Sequence, residues 1–239
     1  MSEIICKDVF VEFQSFSRKS KLSNLKKNNK IPIGKKIVAL DCLNFSINKG
    51  DRLGIIGKNG AGKTTLLRML AGVYFPTSGS LIINSPIEGL FGVGTGIDQD
   101  ATGYENISLL MAFREIPFSH YDRVIADIEQ FTELGDALYR PIRTYSEGMK
   151  LRIAFTIATY FLDNKILLMD EIMSFGDRKF KRKSKKRMLK LMSNTSTFVL
   201  ASNSFELLKE YCSRGIVLEQ GKIVFDGTIN DAINFKKIK

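Results

Sequence analysis

A glycine-rich octapeptide, Gly57–Thr64 (GKNGAGKT), constrains this chain more than any other stretch of its sequence. It follows the apolar segment 53–56 and precedes the largely apolar segment 66–70, so it should connect a buried strand to a helix. In such a loop, backbone N–H groups curl around phosphate oxygens and the helix dipole adds positive charge. The octapeptide, called the phosphate loop below, predicts a nucleotide-binding α/β protein; the alternative is an ordinary glycine-rich turn.

Individual residues of the phosphate loop have predicted roles. Lys63 should neutralise the β- and γ-phosphates of the nucleotide, and Thr64 should place its hydroxyl on Mg²⁺. The other residues predicted to contact the nucleotide are Gly57, Asn59, Gly60, Ala61, Gly62 and Thr65.

Composition narrows the class of protein. The chain has 239 residues, of which 44% are hydrophobic, and this is enough for a sizeable core. Its three cysteines are far apart, so neither a zinc ribbon nor a disulfide scaffold is predicted. We expect no signal peptide after Met1, and no apolar run approaches the ~18 residues of a membrane helix. A protein that is soluble, or held at a membrane by something else, is therefore expected.

The net charge of +11 is concentrated in two basic segments. One spans 18–36 and contains no acidic residue, and the other spans 178–190. Such segments attract polyanions, whether nucleic acid or an anionic lipid surface, although a solvated face is the common alternative.

Hydrophobic patterns predict the order of the elements. Strands are expected at 3–13 and 43–47, before the phosphate loop, and at 80–83 after its helix. A helical subdomain should then occupy about 88–162, inserted into the α/β core. Two buried strands (165–171 and 197–201), a hairpin (216–225) and a short helix capped by Thr228 are expected to complete the chain.

Two further motifs extend the predicted chemistry. Asp170 and Glu171 end an apolar strand, where Asp170 can hold the metal through its water shell and Glu171 can polarise water. Ser146 and Gly148 stand at the start of a helix, where a hydroxyl and backbone N–H groups point the same way. Together with the phosphate loop, in this order, the motifs indicate an enzyme that hydrolyses a nucleotide.

These motifs resemble those of the ATPase subunits of ABC transporters. The segment 145–149 (YSEGM) sits where the signature of that family belongs, and 170–177 (DEIMSFGD) is similar to its Walker B motif and D-loop. A narrower resemblance is to the exporters of O-antigen, capsule or teichoic acid. It rests on YSEGM, on 102–106 (TGYEN) and on a basic insertion at about 17–36. The resemblance implies a single P-loop NTPase domain over 1–239, with an antiparallel β subdomain and an inserted helical subdomain.

The resemblance also implies partners and a location. Two copies should dimerise head to tail, with Ser146 and Gly148 contacting the ATP bound by the partner and Asp177 contacting across the dimer. A separate permease, in the bacterial cytoplasmic membrane, should hold the chain at its inner face. Anionic lipid should contact the first basic segment through residues such as Lys26, Lys27 and Lys30. Phe13 should stack on adenine, with Phe16 as a second candidate and a core phenylalanine as the alternative.

The sequence departs from the family at two positions. Asn203 stands where a histidine usually contacts the γ-phosphate; since an amide cannot relay a proton, we expect slow hydrolysis. The family's Q-loop glutamine is missing near Gly92, and Gln99 lies too close to Thr102 to replace it.

Two other functions stay open on the sequence. One is a soluble ABC-type protein acting on nucleic acid, although no nucleic acid is expected as a partner under the leading interpretation. The other is a nucleotide-binding regulatory subunit with negligible turnover.

Overall fold

The computed structural model describes residues 2–15, 35–90, 96–160, 166–170, 178–195 and 197–238. The chain forms two compact units: residues 1–87 together with 199–239, and residues 88–198. The predicted basic insertion at 17–36 lies almost wholly outside the described residues, as do Phe16, Gly92, Glu171 and Asp177.

The first unit contains a three-stranded antiparallel sheet. The strands β1 (Ser2–Ser15), β2 (Lys35–Asn48) and β4 (Ser78–Ile83) lie in the order β2-β1-β4. The strand predicted at 43–47 is thus only the end of a strand that starts at Lys35. Its first four residues are all exposed, so the alternation of buried and exposed residues that identifies a strand begins only near Leu40.

The first unit also contains the sheet that carries the phosphate loop. Here β7 (Phe198–Ala201), β3 (Arg52–Ile56), β8 (Arg214–Glu219) and β9 (Lys222–Thr228) are successive neighbours, and β7 begins at the unit boundary. The strands β3 and β8 are parallel, whereas β8 and β9 form the predicted hairpin. The helices of this unit are α1 (Lys63–Leu70), α6 (Phe205–Tyr211) and α7 (Ile229–Ile238). The Oγ1 atom of Thr228 accepts a hydrogen bond from the Asp231 N–H at the start of α7, which confirms the predicted cap.

The second unit is mainly helical. Its helices are α2 (Gly103–Phe113), α3 (Tyr121–Thr132), α4 (Glu147–Ala158) and α5 (Arg178–Asn194), with 3-10 turns at Phe118–His120, Gly135–Tyr139 and Ile142–Thr144. It also contains adjacent strands β5 (Ile87–Leu90), which begins at the unit boundary, and β6 (Ile166–Asp170). Fully buried side chains from five of its segments form one core: Ile107, Val124, Ile128, Leu138, Ile142 and Ile153.

This architecture confirms the predicted fold class, a mixed α/β protein with an antiparallel β part and a helical region. The boundaries predicted for the helical subdomain, 88–162, stay a prediction. Within the described ranges, no helix is both long and apolar enough to cross a membrane.

Candidate nucleotide-binding site

The phosphate loop has the backbone geometry of a phosphate cradle. Gly60 and Gly62 have φ angles of 83° and 107°, a region that side chains other than glycine rarely adopt, and α1 begins directly after them at Lys63. A Cβ atom at Gly57 would lie 2.6 Å from the Leu218 carbonyl oxygen, and one at Gly62 would lie 2.8 Å from the Ala39 carbonyl oxygen. Gly57 is therefore required by close packing, Gly60 by backbone conformation, and Gly62 by both.

The turn between β8 and β9 packs against the phosphate loop. The Gly221 N–H donates to the Ala61 carbonyl at 2.9 Å, and the Gly221 carbonyl accepts from the Asp41 N–H at 2.9 Å. A cavity of about 680 Å³ borders this region, lined on one side by residues 58–61 of the loop and on the other by Glu219, Gln220 and Lys222. The loop is thus hydrogen-bonded to the hairpin turn, and the turn is itself hydrogen-bonded to β2.

Lys63 points its ammonium group into the phosphate loop. The side chain is buried, and Nζ donates to the Gly57 carbonyl at 2.6 Å and to the Lys58 carbonyl at 3.4 Å. Its third partner is the Asn203 side-chain oxygen, at 3.2 Å. The positive charge is therefore already placed where the loop would receive a phosphate.

Asn203 reaches Lys63 because β7 and β3 are neighbours. Asn203 follows β7 and Lys63 follows the loop after β3, so both side chains lie at the carboxyl ends of adjacent strands. The sequence placed Asn203 near the γ-phosphate but did not predict a direct bond to Lys63. The adjacency of these two strands, which no local pattern reports, brings the two side chains together.

The predicted metal ligands lie in different units. Thr64, the second residue of α1, is exposed in the first unit, whereas Asp170 is the half-buried last residue of β6 in the second. Hydroxyl and carboxylate oxygens are ligands that Mg²⁺ accepts, so the residue types fit this metal.

Phe13 lies in an exposed apolar patch. It is paired with Ile37 in the sheet, and Phe13, Ile37 and Val38 are each more than a third exposed. The Tyr74 ring packs edge-on against Phe13 with centroids 5.1 Å apart. Ile37 is two residues, or roughly 7 Å, before Ala39, whose carbonyl contacts Gly62. Phe13 is therefore a surface aromatic near the phosphate loop, and not a residue of the core.

The segment 145–149 starts helix α4. Ser146 is the N-cap, and its Oγ accepts from the Met149 N–H at 3.3 Å. Tyr145 is buried and donates its hydroxyl hydrogen to the Ala137 carbonyl; burial raises the pKa of this phenol. In contrast, a Cβ atom at Gly148 would meet only the Ser146 Oγ, at 3.9 Å. Tyr145 thus anchors the segment, while packing in the described part of the chain does not require a glycine at 148.

Sequence reasoning missed the importance of Asn106. Its fully buried side chain donates to the carbonyls of Asp98, Ala101 and Thr102 and accepts from the Asp98 N–H at 2.7 Å. Thr102 and Glu105 form a reciprocal capping box at the start of α2. The spacing of Thr102 and Glu105 could have revealed this box. The TGYEN segment therefore fixes the loop that enters α2.

Comparisons with known proteins agree with this geometry. The sequence model of a family described as ABC transporter matches residues 40–174. The O-antigen export system ATP-binding protein RfbE of Yersinia enterocolitica is 42% identical over 187 residues, which are 78% of this chain and 78% of that protein. RfbB of Myxococcus xanthus, with the same description, is 39% identical over 78% of this chain, but the match covers only 43% of RfbB.

A solved structure shares the fold. It is described as the dimeric post-hydrolysis state of an ATP-binding cassette bound to ADP and Pi. The TM-score is 0.69, with 19% sequence identity, and the match covers 95% of this chain and 98% of that chain.

Proposed function

The chain belongs to the ABC transporter family, and from this premise we propose that it hydrolyses ATP to drive export of a cell-surface polysaccharide from a bacterial cell. The observation that carries the ATPase part is the phosphate loop, in which Lys63 is already held at the centre of a glycine cradle. The polysaccharide part is supported by the O-antigen export relatives. Because both relatives are named for O-antigen export, we propose O-antigen as the class of polysaccharide.

The phosphate loop would bind the triphosphate of ATP. Backbone N–H groups at the start of α1 and the Lys63 ammonium would meet the phosphate oxygens, with the residues predicted from the sequence forming the rest of the cradle. Phe13 is our candidate for the adenine contact, because its ring is exposed close to the loop. Mg²⁺, when bound, would supply positive charge that offsets the charge of the phosphates. Thr64 and Asp170 are the residues that would hold it.

Hydrolysis would depend on Glu171 and be slowed by Asn203. Glu171 follows Asp170 directly and is our candidate for the base that polarises water. When phosphate enters the loop it would compete with the Asn203 carbonyl oxygen for Lys63, leaving the Asn203 amide to donate to the phosphate. Because this amide cannot take up or release a proton, a slow turnover is expected.

A second copy of the chain would complete each ATP site. The space around Gly148 supports this proposal, since packing within the described part of the chain does not require its missing side chain. Ser146 and Gly148 would face the γ-phosphate of ATP bound by the partner, and Asp177 would contact the other chain. The capped start of α4 gives this contact a helix dipole of the correct sign.

An integral membrane permease is the other proposed partner, at the cytoplasmic face of the membrane. Exposed aromatic and aliphatic side chains in the second unit support a protein contact: Leu109 and Phe113 lie one helical turn apart on α2, and Phe118 follows. These side chains are 41%, 75% and 78% exposed, respectively. Exposed apolar groups of this size commonly mark a protein interface.

Export is tested in a strain that lacks the gene for this chain. Wild type should restore the surface polysaccharide, measured by immunoblot of surface extracts, whereas Lys63→Ala should not. The matched control is Lys49→Ala, an exposed lysine outside the phosphate loop, which should restore export fully. Restoration by Lys63→Ala would contradict the ATP-driven mechanism. Normal surface polysaccharide in the deletion strain itself would contradict the proposed substrate.

A further inference from the structure

Helix α5 carries an unusual density of positive charge. Nine of its seventeen residues are lysine or arginine, and none is acidic. Its buried side chains, Phe180, Ser184, Met188 and Met192, pack into the second unit. The cations consequently lie on the remaining, solvent-facing part of the helix.

Three of these cations are paired with acidic residues at α3. Lys179 and Lys183 contact the two oxygens of the Glu133 carboxylate, and Arg187 contacts Asp127 at 2.7 Å. Arg187 also lies over the Phe131 ring, 4.8 Å from its centroid. These contacts attach the helix to its unit, and they account for the positive charge on only this one side of α5.

Four other cations form a line that we call the α5 ridge: Arg178, Arg182, Lys186 and Lys190. They are spaced four residues apart, so they follow one face of the helix over about 18 Å. All four side chains are exposed, and within the described ranges none has an acidic partner within 4 Å. Like charges at this spacing repel one another and destabilise a helix, so solubility alone does not explain the arrangement.

An open cavity of about 890 Å³ lies beside the ridge. Lys186 and Lys190 of the ridge line it together with apolar atoms of Phe131, Leu189 and Leu191. A ligand that fits here has negative charge and an apolar portion next to it.

We propose that the α5 ridge binds the surface of an anionic lipid bilayer. Clustered lysine and arginine side chains bind anionic lipids electrostatically, and a lipid offers both the phosphate and the apolar portion that the cavity accommodates. Nucleic acid also carries phosphate, and the rings of Phe131 and Tyr160 line the same cavity, so the test below includes nucleic acid as the competing outcome. The choice of a membrane as the anionic partner rests in part on the proposed function. Binding of the α5 ridge to lipid, however, requires no nucleotide.

The test is a flotation assay with the purified full chain and no added nucleotide. One set of vesicles contains phosphatidylcholine alone, and the other contains equal amounts of phosphatidylcholine and phosphatidylglycerol. The test variant replaces the four ridge residues with glutamine, which keeps helix propensity. A matched control variant replaces four exposed cations elsewhere with glutamine and has the same net charge: Lys7, Lys49, Arg140 and Lys209.

Wild type and the control variant should bind the anionic vesicles. The ridge variant should bind them at least about tenfold more weakly. Far-UV circular dichroism and thermal unfolding check that both variants are folded. Equal loss in both variants would mean that only net charge matters, and no loss in either would place the contact elsewhere; both results overturn the proposal. Ridge-dependent binding to duplex DNA or RNA without binding to vesicles would overturn it in favour of nucleic acid. The ATPase activity of the ridge variant is measured as well. Normal ATP hydrolysis by a variant that no longer binds vesicles would show that membrane binding and the proposed ATPase function are independent.

Discussion

At the scale of single residues, Lys63 and Asn203 decide how the phosphate loop works. Three oxygens described above accept hydrogen bonds from the Lys63 ammonium, and the one from Asn203 belongs to a side chain. The other two are carbonyls of the loop itself. Exchange of the Asn203 side chain therefore changes the surroundings of Lys63 without altering the glycine cradle.

Asn203→His should raise the ATPase rate constant about tenfold, because an imidazole can both contact the γ-phosphate and carry a proton. The measurement is steady-state phosphate release at saturating ATP. Glu171→Gln serves as the inactive reference. If Asn203→His leaves the rate unchanged while Glu171→Gln abolishes it, the asparagine does not limit hydrolysis.

Substitution by alanine should affect stability at Gly103 and ATPase activity at Gly148. A Cβ atom at Gly103 would lie 2.7 Å from the Tyr145 hydroxyl and 2.9 Å from the Leu138 carbonyl, so Gly103→Ala should destabilise the fold by about 1–3 kcal/mol. Gly148→Ala should change the free energy of unfolding by less than about 1 kcal/mol. It should nevertheless lower the ATPase rate at least about tenfold if this position faces the partner's nucleotide.

Chemical denaturation and phosphate-release assays on the two variants check this contrast. A stable and fully active Gly148→Ala protein would rule out a close contact at this position.

At the scale of elements, the ion pairs between α3 and α5 make the second unit sensitive to acid. Glu133 ends α3 in a left-handed conformation (φ 56°), which is unfavourable for a residue other than glycine, and it binds both Lys179 and Lys183. Hydrogen bonds from these two lysines lower the pKa of Glu133 from its ordinary 4.5 to about 2. The carboxylate form is thus favoured in the folded chain.

Glu133→Gln should lower the melting temperature at neutral pH and have less effect in acid. Since the folded pKa is depressed, the stabilising contribution of Glu133 is complete above about pH 4.5 and is lost as the pH falls towards 2. Thermal unfolding of wild type and variant from pH 3 to 7 measures this difference. Glu206→Gln, at another exposed helical position, is the control. A difference in melting temperature that does not shrink in acid would show that the ion pairs contribute nothing.

Elements that are marked by a local sequence pattern could be predicted from the sequence. Elements and contacts that depend on distant parts of the chain could not. The phosphate loop, the buried strand before Asp170 and the final hairpin were all predicted, because glycine positions and runs of apolar residues determine them locally. The start of β2 was missed because its exposed residues depend on pairing with β1. The Lys63–Asn203 contact was missed for the same reason, since it requires the order of strands in the sheet. Glu171 and Asp177 stay predictions.

At the scale of the whole molecule, a head-to-tail dimer makes a specific prediction about mixed chains. Lys63→Ala and Ser146→Ala should each abolish the ATPase activity of a homodimer, because each site needs both residues. A mixed dimer contains one site with both residues intact and one with neither. With random association, an equal mixture should recover about a quarter of the wild-type activity.

The mixing experiment is controlled by a double variant that carries both substitutions in one chain. A mixture of the double variant with either single variant should stay inactive, since no intact site can form. No recovery in the mixture of single variants, despite dimers of normal mass, would indicate that each chain completes its own ATP site.

The length of the β8–β9 hairpin turn at Gly221 should affect how tightly the phosphate loop binds a nucleotide. Its N–H and carbonyl connect Ala61 of the phosphate loop to Asp41 of β2, and a Cβ atom here would lie 2.7 Å from the Ala39 carbonyl. Hairpin turns on protein surfaces usually accept inserted residues during evolution. We expect this turn to tolerate insertion poorly, because each added residue would alter its hydrogen bond to Ala61 of the phosphate loop and its hydrogen bond to Asp41 of β2. A site for a fusion tag or reporter should therefore be chosen elsewhere, even though this turn lies late in the sequence and far from the glycine motif.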